Sequence, residues 1–115
     1  TAHRADVLNM RSHENRRFRM AIENAVQDVK ERMELFRRIA PAIKQLATKD
    51  IFSALSGGEL FEGSGHSKSY WTASEDHRAL DIFASLFVLA AQNSPELKIV
   101  KAAWPELWAA YISLF

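Results

Sequence analysis

The chain has 115 residues, 48% hydrophobic and 25% charged, with four Gly, three Pro and a net charge of +1. A chain of that length and composition forms one globular domain, can bury roughly two-thirds of its unfolded surface, and is excluded from the disordered and low-complexity classes. Zero cysteines exclude a disulfide framework, thiolate catalysis and Cys-ligated zinc, and make a reducing compartment, the cytoplasm, the expected location.

The opening "TAHRADVLNMRSHENRRFRM" has no apolar core behind its positive charges, so no secretory signal is expected. Residues 1–11 read as an arm able to stay disordered. It is also the basic part of the chain. The first 19 residues carry five Arg against Asp6 and Glu14, giving +3 and leaving −2 for the remainder.

From Phe18 to Leu46 the apolar residues Phe18, Ile22, Ala25, Val29, Phe36, Ile39, Ile43 and Leu46 step by fours and threes, and only Arg32 falls out of pattern. Such spacing predicts a long amphipathic first helix, with Ser12 as N-cap and the pairs Asp28–Arg32 and Glu34–Arg38 on its solvated face. Pro41 must kink or end that helix, since it lacks an amide hydrogen and its ring collides with the preceding turn. A second helix is expected from Pro41 to Leu55, stopped by Gly57 and Gly58.

A long loop then covers 57–71, either mobile or pinned by Leu60, Phe61, Tyr70 and Trp71. Thr72 with Glu75 forms a capping-box signature for a third helix reaching about Gln92. Arg78, Asp81, Ser85 and Gln92 make its one narrow polar stripe, and Leu80, Ile82, Phe83, Leu86, Phe87, Val88 and Leu89 cover the rest. A helix of that kind is packed on most sides, more than a single small domain readily supplies. Its run "ALDIFASLFVLAA" is broken by Asp81 and Ser85 and is short of the ~20 residues that span a bilayer. Ser94, Pro95 and Glu96 start a short fourth helix, and Pro105 breaks it before the closing "ELWAAYISLF". No segment alternates as a strand does. The expected fold is therefore all-α, a single domain of four to five helices with a long N-terminal helix, assembling as a helical homodimer.

Catalytic chemistry finds little to stand on. Glycines, serines and Lys68 crowd into "EGSGHSKSYW", yet Lys68 follows Ser67 rather than glycine and no strand precedes the loop, so a phosphate cradle is not expected. His3, His13, His66 and His77 show neither His-Glu-x-x-His nor Glu-x-x-His spacing, and His77 with Asp81 one turn away reads as a hydrogen-bonded pair. No serine sits in a nucleophile elbow. The expectation is a protein with no catalytic residues, metal or cofactor.

Two surface features remain. Arg16, Arg17 and Arg19 form a charged face at the start of the first helix, able to select a protein partner or to neutralise the phosphates of a nucleic acid. Phe83, Phe87, Trp104, Trp108, Tyr111 and Phe115 exceed what two terminal helices need to seal one small core, and aromatic anchors of this type concentrate at interfaces. Together they favour a non-catalytic regulatory protein acting through protein–protein contact, with nucleic-acid binding through the arginines as the alternative and no membrane partner.

In the segments "RRFRMAIENAVQDVKERMELFRRIA" and "DIFASLFVLAA", and in its size, its lack of cysteine and its apolar C-terminal helices, the chain resembles the small bacterial antiactivators that bind LuxR-type quorum-sensing regulators. The resemblance implies a non-enzymatic dimer that occupies the regulator's ligand-binding domain and so prevents regulator dimerisation and DNA binding.

Overall fold

Six α-helices and one 3₁₀ turn account for most of residues 13–61 and 75–115, the residues that the computed structural model describes. They are α1 (His13–Glu31), α2 (Met33–Ile39), the 3₁₀ turn Ala40–Ala42, α3 (Leu46–Ser56), α4 (Glu75–Ala91), α5 (Leu97–Ala103) and α6 (Pro105–Ile112). There is no strand among them, in agreement with the all-α expectation. The arm, Ser12, Thr72, Tyr70, Trp71 and the rest of the loop beyond Phe61 lie outside the described residues.

The first helix is interrupted earlier than the sequence suggests. Its break falls at Arg32, the one residue out of the apolar pattern, where φ −117° and ψ 30° leave the helical region. Asp28 lies one turn before that break. Its carboxylate takes a two-pronged hydrogen bond from Arg32, Nε to Oδ1 at 2.8 Å and a terminal guanidinium nitrogen to Oδ2 at 2.5 Å, and also accepts the buried Trp104 indole N–H at 3.1 Å. A charge pair expected only to meet solvent therefore ties α1 to the α5–α6 corner.

Pro41 does not begin the second helix. It sits within the 3₁₀ turn, after which Ile43 adopts an extended conformation and buries its side chain, so α3 starts five residues later than expected, at Leu46. The approach to α3 is held from outside by Glu96, whose carboxylate accepts the backbone N–H groups of Lys44 at 2.8 Å and Gln45 at 3.1 Å. Ser94 reinforces this by donating its hydroxyl to Gln45 Oε1 while accepting the Glu96 N–H at 3.1 Å. Helix α5 itself begins at Leu97 with Glu96 in the capping position, two residues later than the Ser-Pro-Glu signal places it, and a turn of i→i+3 bonds leads from Ser94 into it.

Glu96 gives the fold a pH-dependent joint. Burial works against its charged form, but the Lys44 and Gln45 N–H groups and nearby Lys49 together hold the carboxyl below its ordinary value of 4.5. A carboxyl with a lowered folded pKa adds stability above its unfolded value and loses it as pH falls through the folded one. Glu96→Gln should cost about 1 kcal/mol at neutral pH, the scale of a solvent-screened helix-entry contact. In urea titrations its deficit relative to wild type should shrink as the pH is taken below 4.5.

Two helix ends follow their expected chemistry. Gly57 closes α3 at φ 64°, and the Gly58 N–H reaches back to the Ser53 carbonyl at 2.8 Å. Asn93, at φ 50°, does the same for α4, with Ser94 N–H on the Leu89 carbonyl at 3.0 Å and Asn93 N–H on Ala90 at 3.1 Å. Both are left-handed caps that satisfy the last carbonyls of a helix. Beyond Gly58, Leu60 is buried and Phe61 meets Phe52 edge-on, so the described start of the loop is pinned.

The core lies between α3 and α4, and α1 closes over it against α3 and α6. Its aromatic side chains form two groups. One joins Phe36, Phe52, Phe61 and Trp104, with Phe36 stacked on Trp104 at 5.1 Å; the other joins Phe18, Phe83, Trp108, Tyr111 and Phe115. No helix of the described residues is long and apolar enough to cross a membrane.

Candidate protein-binding face

The orientation of α4 is the least conventional feature of the fold. Its strongest apolar arc, Ala79, Ile82, Phe83, Leu86 and Leu89, is buried against α3 and the rest of the core. Beside that arc runs the polar stripe, which an ordinary surface helix would turn to solvent. Here it is drawn inward: Ser85 is 7% exposed, Arg78 and Asp81 are half-buried, and only Gln92 at the helix end is open.

Solvent instead meets a second apolar arc. Leu80 is 40% exposed, Phe87 53% and Val88 39%; Ala84 is half-buried among them and Ala91 is exposed. All five lie within roughly 100° of the helix circumference at 100° per residue. Near Val88 the arc borders a groove of about 300 Å³ shared with the start of α3, lined by Leu46, Ala47, Asp50, Asp81, Ala84, Ser85 and Val88. Leu46, 63% exposed, extends the apolar surface across it.

The six aromatic residues singled out from sequence divide on this structure. Phe83, Trp104 and Tyr111 are buried in the chain's own core and are corrected from interface anchors to packing residues. Trp108 is half-buried, its ring meeting Tyr111 at 5.4 Å with the Lys101 ammonium 4.5 Å from its centroid. Phe87 and Phe115 remain open. Phe115, 66% exposed, stacks on Phe83 at 6.0 Å, one helical turn before Phe87. The candidate face therefore runs from Leu46 over α4 to the C-terminal residue.

Sequence reasoning missed Leu46, Leu80, Ala84, Val88 and Ala91 as members of this face. A signal for four α4 positions was present: Leu80, Ala84, Phe87 and Ala91 step by four, three and four, a seam independent of the buried arc. Which of two apolar arcs turns inward depends on tertiary packing, and periodicity alone does not fix it.

The arginines are also divided. Arg16 and Arg17 are exposed and border a groove of about 460 Å³ with His13, Met20, Ala21, Asn24 and Glu106. Arg19, one helical turn from Arg16, is half-buried instead and lines a separate cleft with Ile22, Glu23, Arg78 and Ala79, so it is the least accessible of the three arginines. Glu106 of α6 places an acid in the groove beside the two arginines. His77 and Asp81 of α4 are both half-buried and neither is without a partner, and no group of three or more His, Asp or Glu side chains able to hold a metal forms among the described residues.

No protein-family model matches the chain, and no curated protein or solved structure is significantly similar to it.

Proposed function

We propose that the protein is a non-catalytic regulatory protein that acts by binding another protein through the outward apolar arc of α4. One observation supports this above others: α4 hides its polar stripe and presents Leu80, Phe87 and Val88 to water. Full burial of such a side chain stabilises by about 1.5–3 kcal/mol, so a half-exposed Phe87 retains about 1 kcal/mol to gain from a covering surface. Arg16 and Arg17 would then bias the choice of partner by charge.

The resemblance to antiactivators carries the proposal to a finer form, in which the partner is a LuxR-type regulator in the cytoplasm whose dimerisation and DNA binding are blocked. A gel-shift experiment tests both levels. Wild-type protein is expected to release such a regulator from its DNA site, and Leu80→Glu/Phe87→Glu is expected to leave the regulator bound while keeping its own helical circular dichroism. A regulator retained on DNA by the wild type removes the antiactivator reading. Equal release by wild type and variant removes α4 as the binding face.

The exposed pair Arg16 and Arg17 favours one second reading, sequence-blind nucleic-acid binding. That reading predicts a linear fall of log affinity with log salt, its slope reduced by about 1 for each arginine replaced by alanine. A flat salt response excludes it.

A further inference from the structure

We propose that, while no other protein occupies it, the α4 face is covered by a second copy of this chain, the two α4 helices packing antiparallel about a twofold axis so that Phe87 of each copy seats against Ala84 of the other. The proposal rests on the protein-binding reading of the same face and names what covers it until that partner displaces it. The seam Leu80, Ala84, Phe87, Ala91 alternates large and small side chains. Its order is self-complementary. Measured from a midpoint between Ser85 and Leu86, Leu80 lies as far back as Ala91 lies forward, and Ala84 as far back as Phe87 lies forward. An antiparallel pair therefore opposes Leu80 with Ala91 and Ala84 with Phe87 at every layer, knob against hole.

A parallel pair does the reverse. It would set Phe87 against Phe87 and Ala84 against Ala84, one layer overfilled and the next hollow, both of which destabilise. Charge selects the same direction. The seam itself carries no charged residue, so the helix dipoles are left to decide. Antiparallel helices also bring the positive end of each dipole beside the negative end of the other.

Area decides whether such a pair is stable. The seam alone, about 17 Å of one helix, is too small for an interface that needs about 800 Å² from each partner, roughly an eighth of this chain's 6645 Å² surface. Leu46 on one flank and Phe115 on the other, each about two-thirds exposed, widen the apolar face with side chains from two further parts of the fold. Among the described residues none covers it.

Sedimentation of the full chain over a range of concentrations tests the pairing. Wild type is expected to form a dimer; Ala84→Phe and Phe87→Ala are each expected to weaken it about tenfold or more, and the exchanged double variant Ala84→Phe/Phe87→Ala to recover it. With no native cysteine, Ala84→Cys mixed with Phe87→Cys should also cross-link faster than either variant alone. Three results overturn the proposal: a wild type that stays monomeric at every concentration, a dimer indifferent to Phe87→Ala, and an exchanged variant no better than the single ones. The first leaves the gel-shift outcome for Leu80→Glu/Phe87→Glu intact, and so separates loss of the self-pairing proposal from loss of the protein-binding reading.

Discussion

Replacing Trp104 by alanine should lower the stability of the chain by about 3–5 kcal/mol, the range for removing a large aromatic from a packed core. The indole is 4% exposed, stacked on Phe36 at 5.1 Å and set edge-on to Phe52 at 5.4 Å. Its N–H is the third hydrogen bond to the Asp28 carboxylate, beside the two from Arg32. Alanine would leave both a cavity and a carboxylate short of a donor. A domain with about 5–15 kcal/mol in total has little to spare for such a loss. Trp104→Phe separates the two contributions, keeping most of the ring contact while removing the N–H, and should cost about 1–2 kcal/mol. Chemical denaturation of the three proteins measures both. A Trp104→Ala variant as stable as wild type would return the residue to the surface role first read from sequence.

The next largest effect comes from two neighbours with opposite fates. Leu86→Ala should destabilise by about 2–5 kcal/mol, because its side chain is fully buried where α4 meets the core. Phe87→Ala, one residue on, should change the stability of the isolated chain by less than about 1 kcal/mol, because about half of the ring is in water. Their effects on association should be reversed in rank once folding is corrected for. Unfolding curves at low protein concentration give the first comparison and sedimentation gives the second. Equal stability losses for both variants would mean that α4 is turned differently from the orientation described here.

Much of the architecture could be read from the residues because local signals agreed with tertiary packing. Gly57 and the Pro105 break both act through backbone chemistry that needs no distant partner. The departures have a different origin. The indole that draws Asp28 inward comes from Trp104, 76 residues away in sequence, and the carboxylate that holds the entry to α3 comes from Glu96, about 50 residues away. For the functional face, composition foretold surplus apolar surface but not its position. Phe83, Trp104 and Tyr111 looked as interfacial as Phe87 and Phe115, since a ring gives the same signal in a sequence whether it faces inward or outward.

Trp104 occupies one further position of consequence. It is at once the last cap of α5 and the first of α6, with φ −136° and ψ 71° turning the chain between two short helices. Helices of seven and eight residues are too short to persist by themselves. The corner is bolted through its indole to the far end of α1, so the final stretch of chain cannot peel away as a frayed tail while that bolt holds. Opening it requires the C-terminal helices and the end of α1 to let go as one cooperative unit.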